Sequence, residues 1–433
     1  MLLPLIIVVA IVFFVMPPQQ RERLLHTAVL VAKRSRQSAT REDPADGEFK
    51  DALRTRERYI PVTYALIAVN AVVCVMMIFG AGRMAAPETQ IAWGGSFGPL
   101  TTNGVGWWRL VSALFVHPTV FHAAINIAVL LQLGMILERL VGRLAFAGVY
   151  FVAGLIGNLV TMWSYRVLVT VGASGAICGL YGLFCATIAW GALRRQRSPY
   201  TVPQGRLQKL GVLAVLFFLF NVANGAVSFA GELAALCIGF ACGIALTRTV
   251  NVEAPRPRLI GITVGVATAL ALGLAVSLRG IADVRPEITY VLEVEQRTAK
   301  IYGEASEQFK KGRMTTDLFA QRIAKEIVPE LQAADKRLKA LKNVPPETQP
   351  LLDEATDYVK KRSESWKLRV DGLRKAEDTP RQVNAGIEPG ADAKWRHRAE
   401  AQYRTNQRTL ARAESAEREA LEALERLKAD SGS

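Results

Sequence analysis

Histidine is scarce in this chain, four in 433 residues, and none of its five cysteines lies in the hydrophilic C-terminal part. Cys74, Cys178, Cys185, Cys237 and Cys242 all fall inside apolar stretches, which argues against a disulfide framework or a structural zinc site. Charge is nearly missing from apolar runs of about 20 residues that recur between Pro61 and Leu278, whereas a soluble domain mixes its charged and apolar residues. No basic stripe with interleaved aromatics is present, so the net charge of +15 does not point to nucleic acid. No basic region precedes the apolar run 1–16, and Arg21, Arg23, Lys33, Arg34 and Arg36 follow it, the reverse of a cleaved signal peptide.

What is there is a polytopic membrane pattern. Seven apolar spans are expected near 61–81, 111–137, 143–164, 173–192, 209–224, 229–247 and 258–278, each long enough to cross a hydrocarbon layer of roughly 30 Å as a helix. The run 1–16 would reach about 24 Å, enough for a retained N-terminal anchor or an interfacial helix, and 17–60 reads as a basic cytoplasmic segment. Cations are dense there, present at Arg139 and Arg143, dense again at Arg194, Arg195, Arg197, Arg206 and Lys209, and present at Arg248, Arg256 and Arg258. The intervening loops carry few, so the positive-inside rule makes that first set of loops cytoplasmic and brings the C-terminal part out on the other side. With no organelle-targeting segment, a bacterial plasma (inner) membrane is the natural setting.

From Asp283 onward the pattern becomes that of amphipathic helices. Leu352, Ala355, Val359, Arg362, Trp366, Val370 and Leu373 recur at spacings of three and four, and a second stripe runs through Tyr403, Leu410, Leu424 and Leu427. Breaks at Gly312, at Val344-Pro345-Pro346 and around 386–390 divide the region into three to five helices of an antiparallel bundle. The expected fold is therefore all-α: a membrane helix bundle over 61–278 followed by an extracytoplasmic helical bundle over 279–433. That bundle is either a stabilising or self-associating appendage or a module that recruits a protein partner.

Three constellations carry chemistry. Gly172-Ala173-Ser174-Gly175 opens the fourth span, followed by Gly179 and Gly182. By itself Gly-x-Ser-Gly is a weak signal, and small residues four apart also let membrane helices approach closely. The second span is read as carrying His117, His122 and Asn126; the last two, four apart, share a helix face, and polar side chains at membrane depth turn to a partner or a cavity. Trp107-Trp108-Arg109 ends a polar, Gly-rich loop, where an aromatic pair alone would be an interfacial anchor.

Together these motifs, in this order, resemble the rhomboid family of intramembrane serine proteases over about 60–270. Trp108-Arg109 is similar to its first-loop motif, His117, His122 and Asn126 to its second-helix motif, and Gly172 to Gly175 to its nucleophile motif. The resemblance implies six core helices plus a seventh, with Ser174 as nucleophile in a water-accessible cavity. It also implies His122, Asn126 and the Ser174 amide as oxyanion donors, with His117 holding the first loop, and it suggests neither a metal nor an organic cofactor.

One element departs from the family. The sixth helix there carries a histidine base, and here the matching stretch, Gly231-Glu232-Leu233-Ala234-Ala235, has Glu232 at that position and Ala235 for a glycine. The remaining histidines, His26 and His397, lie far outside the core. Cys178, four after Ser174, replaces a residue that is often aromatic in the family and supports the imidazole. Either the site has decayed, or Glu232, the one Asp, Glu, Lys, Arg or His between Gly225 and Thr247, serves as the base. The first alternative implies a pseudoprotease that binds transmembrane clients, the second an endopeptidase that cleaves transmembrane protein substrates in the lipid bilayer. A transporter built on Glu232 would call for inverted repeats and broken helices, and neither is visible.

Overall fold

A computed structural model describes residues 44–80, 83–194, 200–223, 228–247, 255–385 and 393–431. The apolar run 1–16 and the basic segment up to residue 43 lie outside the described residues. The chain divides into two compact units, Met1–Arg279 and Gly280–Ser433, and the described residues are helical, with a single isolated bridge between Ser96 and Thr170.

The first unit opens with α1, Pro44–Arg56. Asp46 in its first turn and Arg54 and Arg56 in its last complement the helix dipole. Phe49 and Leu53, four apart, are buried. Among the described residues seven long helices follow: α2 Pro61–Gly80, α3 Val120–Val141, α4 Arg143–Ser164, α5 Ser174–Arg194, α6 Gln204–Ala223, α7 Phe229–Leu246 and α8 Pro257–Ser277. By length and composition α2, α3, α4, α7 and α8 can each cross a membrane, and Ser174–Ala189 is a shorter apolar stretch within α5. Large apolar side chains such as Val72, Phe79, Ile262 and Leu270 are exposed on α2 and α8, as expected where the solvent is lipid.

Two helix starts explain how the unit is pinned. The first turn of a helix leaves backbone N–H groups without partners. At α2 they are met by Glu138 from the far end of α3: Val62 N donates to its Oε1 at 3.0 Å, while Thr63 N and Thr63 Oγ1 donate to Oε2 at 2.7 and 2.6 Å. At α3 the Thr119 hydroxyl accepts from His122 N at 3.1 Å, a side-chain N-cap. The second span therefore starts at Val120 rather than near 111, because Pro118 cannot supply a mid-helix N–H and Thr119 restarts the chain. His117 precedes α3 instead of lying on it.

Helices α4, α5 and α7 pack through small residues. A Cβ on Gly239 of α7 would collide with the Gly179 carbonyl of α5, and one on Gly179 would collide with Ala153 of α4. Such close approach replaces the hydrophobic drive that lipid removes.

The second unit contains α9 Arg285–Lys310, α10 Thr316–Arg322, a π turn Ile323–Ile327, α11 Val328–Ala340, α12 Gln349–Ala385 and α13 Ala393–Ser431. The α12 stripe is its spine: Ala355, Val359, Arg362, Trp366 and Val370 are buried, with Leu352 and Leu373 partly so. The buried Arg362 bridges Glu295 at 2.9 Å and Glu417 at 3.2 Å, the pairing that a charge removed from water requires. On α13, Leu424 and Leu427 join the core, but Tyr403 is exposed. The second stripe thus begins later than its sequence spacing suggests.

Candidate active site

The loop 83–119 is built from short helical turns, Pro87–Ala92, Gly98–Thr102, Gly106–Trp108 and Arg109–Ser112. Arg109 holds them together. Its Nη1 donates to the carbonyls of Ile91 at 2.5 Å and Gly95 at 3.3 Å, and its guanidinium lies 4.8 Å from the Trp108 ring centroid. Ser112 Oγ adds a bond to the Gly94 carbonyl at 2.7 Å. The Trp108-Arg109 pair is therefore a fastener of this loop as well as an aromatic at its surface.

The same loop grips the segment that leads into α5. Ser96 and Thr170 exchange backbone bonds of 3.0 and 2.8 Å, and Gly172 N donates to the Ala113 carbonyl at 2.8 Å. Gly172 has φ +105°, a region that side-chain-bearing residues rarely occupy. That turn lets Ser174 begin α5.

Around the turn stand the two histidines. His117 and His122 are almost fully buried, their rings edge-to-face with centroids 5.7 Å apart. His117 Nδ1 donates to the Phe115 carbonyl at 3.1 Å. Nε2 of His122 lies 3.5 Å from the position that a Cβ on Gly172 would take, and neither ring nitrogen of His122 has a hydrogen-bond partner. Asn126, one turn on, donates from Nδ2 to the His122 carbonyl at 2.8 Å, and its buried Oδ1 is unpartnered.

On the other side Ser174 faces α4 and α7. A small cavity of about 20 Å³ is lined by Gly172, Ser174 and Gly175, by Asn158 and Thr161 of α4, and by Ser228, Gly231 and Glu232. A Cβ on Gly175 would meet no neighbouring atom, so this glycine borders space instead of serving as a packing contact like Gly179. The Ser228 hydroxyl accepts from Gly231 N at 3.2 Å and caps α7, which fixes Glu232 in the first turn. Ser174 is 9% exposed and Glu232 5%, so both polar groups are withdrawn from solvent yet open onto one void. The Ser174 hydroxyl approaches the Glu232 carboxylate closely enough to interact with it, but neither carboxylate oxygen completes a hydrogen bond of ordinary geometry. Cys178, a turn below Ser174, is buried near the same carboxylate.

The structure thus gathers Gly172, Ser174, Gly175 and Glu232 at one cavity, places His122 and His117 against the Gly172 turn, and sets Trp108 and Arg109 in the loop behind. His117, His122 and Asn126 do not line the cavity itself. Asn158, Thr161 and Ser228 are lining residues that the motifs did not single out. A signal was available for two of them, since Asn158 and Thr161 are polar, three apart in a largely apolar span, and so share one face. Asn158 also donates to the Leu110 carbonyl at 3.1 Å, tying α4 to the loop. Chemically, a hydroxyl and a carboxylate beside a polar void can exchange a proton, and the void has room for a water molecule.

Residues 105–249 match the family model described as the Rhomboid domain. The chain is similar to Rhomboid-like protease 1 of Toxoplasma gondii, 29% identical over 169 residues covering 38% of this chain and 56% of that protein. To Rhomboid-like protease 3 of the same organism it is 28% identical, covering 44% of this chain and 68% of that protein. Inactive RHOMBOID-like protein 8 of Arabidopsis thaliana is 28% identical over 27% of this chain and 30% of its own length. The chain thus spans little more than half of the first of these relatives. With its apolar helices, this makes it a multi-pass integral membrane protein.

Proposed function

From the chain's membership of the rhomboid family, we propose that it is an intramembrane serine endopeptidase in which Glu232 takes the place of the histidine base. Ser174 Oγ would attack the scissile carbonyl while Glu232 accepts its proton. His122, Asn126 and the Ser174 amide would receive the tetrahedral oxyanion. The same proton would then pass to the departing amine, and a water molecule would hydrolyse the acyl-enzyme with Glu232 again as base. The observation that carries this reading is the shared cavity of Ser174 and Glu232, with the carboxylate uncommitted to any other partner. Substrates would be transmembrane segments of other proteins, cut near the end of the bundle where Ser174 lies. By the positive-inside rule that end is extracytoplasmic, since α1, Arg139 and Arg143 sit at the opposite end, and a bacterial plasma membrane fits that arrangement.

A serine-directed fluorophosphonate tests the nucleophile. Labelling of the wild-type chain that disappears in Ser174→Ala and falls in Glu232→Gln supports the reading; equal labelling of wild type and Ser174→Ala contradicts it.

A second reading, a rhomboid pseudoprotease that binds membrane-protein clients, is favoured by two observations. Ser174 and Glu232 are not aligned in a hydrogen bond, and Asn126 directs one of its two amide N–H groups to the His122 carbonyl and does not line the cavity. An inactive relative exists in the family.

A further inference from the structure

A second cleft lies at the far end of the membrane unit from Ser174. It has a volume of about 470 Å³ and is lined by Asp51, Arg54 and Thr55 of α1, by Arg58, and by Arg139 in the last turn of α3. Since α3 carries Arg139 in its last turn and His122 near its other end, the cleft stands about 25 Å along the helix from His122, which packs against the Gly172 turn.

The cleft is positively charged by construction. Arg139 is fixed there, its Nε donating to the Glu57 carbonyl and its Nη1 to the Met135 carbonyl, each at 3.1 Å. Arg54 and Arg58 are exposed. The neighbouring carboxylates are engaged elsewhere, Glu57 with Arg143 at 2.5 Å and Asp46 with Arg206 at 2.7 Å. Asp51 is the one carboxylate lining the cleft against three guanidiniums. A guanidinium offers a planar fork that matches phosphate oxygens two at a time.

The cleft also has a depth in the bilayer. Tyr59 and Tyr64, at the entry to α2, are exposed by 61% and 56%, and exposed tyrosines at a span's end mark the headgroup level. Beyond them α2 presents Val69, Val72, Val75 and Phe79 outward, a face made for acyl chains.

We propose that this cleft binds the headgroup phosphate of an anionic phospholipid, with Arg54, Arg58 and Arg139 on the phosphate and the acyl chains entering the bilayer beside α2. A lipid is the occupant because charge and depth coincide. A soluble phosphate would gain from the charge alone, whereas a lipid is also held by its chains. The bound lipid ties α1 to the end of α3 and does not touch the Ser174 cavity, so binding and proteolysis fail independently.

Native mass spectrometry of the full-length protein, released from detergent with equimolar phosphatidylglycerol and phosphatidylcholine, tests it. The wild type should retain phosphatidylglycerol preferentially. That preference should drop by roughly tenfold in Arg54→Gln/Arg58→Gln, the scale of one charge-assisted contact, and in part in the single Arg54→Gln, which alters only an exposed side chain. Excess inorganic phosphate should leave the lipid in place. Undiminished preference in both variants overturns the proposal, and so does displacement of the lipid by inorganic phosphate, which would assign the cleft to a soluble anion.

Discussion

Ser174 is the first residue of α5 and Glu232 lies in the first turn of α7, so that a hydroxyl and a carboxylate reach one cavity from the N-terminal ends of two packed helices. Helix N-termini carry partial positive charge on their unpaired N–H groups, and two of them converge where negative charge would develop on an oxyanion. Their separation is set by the glycine contact of Gly179 with Gly239 one to two turns below. The chemistry proposed at the top of the helices would therefore depend on close backbone approach beneath it.

Gly239→Ala tests that dependence. The new methyl would press on the Gly179 carbonyl, backbone that cannot rotate away. Overpacking of this kind costs about 1–3 kcal/mol, and the expected outcome is a lowered unfolding midpoint in detergent together with loss of Ser174 labelling. Gly175→Ala, whose Cβ meets no neighbour, should leave the midpoint unchanged.

Glu138 should matter to stability far more than its place at a helix end suggests. It is fully buried and accepts three hydrogen bonds at the start of α2. Glu138→Ala leaves two backbone N–H groups without an acceptor, at a cost of about 3 kcal/mol, while Glu138→Gln, which keeps one oxygen, should cost about half of that. Denaturant unfolding of both variants in the same detergent checks the order.

Asp46 links α1 to α6 in a pH-dependent way. The bidentate contact with Arg206, at 2.7 and 3.0 Å, holds its carboxyl down at about 2 from the ordinary 3.8, against the opposing effect of burial. A depressed carboxyl stabilises the fold above the unfolded value and loses that contribution as pH falls through the folded one. Asp46→Asn should therefore be less stable than the wild type at neutral pH, and the gap between their thermal midpoints should close between about pH 4 and pH 2. A gap that stays constant across that window would remove the ion pair from the account of α1 docking.

Much of this was legible in the sequence because lipid imposes a coarse rule. Each of the seven apolar runs became a helix, and the Gly172–Gly175 motif with Glu232 pointed to one cavity. The second span was misplaced since hydropathy is blind to a restart: Leu110 to Val116 are apolar enough to count as span, but Pro118 and Thr119 decide where α3 begins. Glu138 was invisible for a related reason. A charge at the end of an apolar run reads as a loop residue, and only the arrival of α2 beside it shows that it is buried. Tyr403 shows the opposite error, an aromatic at the correct spacing but outside the stretch of α13 that meets the core. The arginine cleft could not be read at all, because Arg54, Arg58 and Arg139 are brought together by the docking of α1 on α3.

Cleavage of a labelled transmembrane reporter in proteoliposomes tests the Ser174–Glu232 chemistry most directly. The wild type should cleave, and both Ser174→Ala and Glu232→Gln should lower the rate by roughly 10³-fold or more, as loss of a nucleophile or its base does elsewhere. Cleavage by Glu232→His alone, with none by the wild type, would contradict a carboxylate base and leave a scaffold that binds its clients without cutting them.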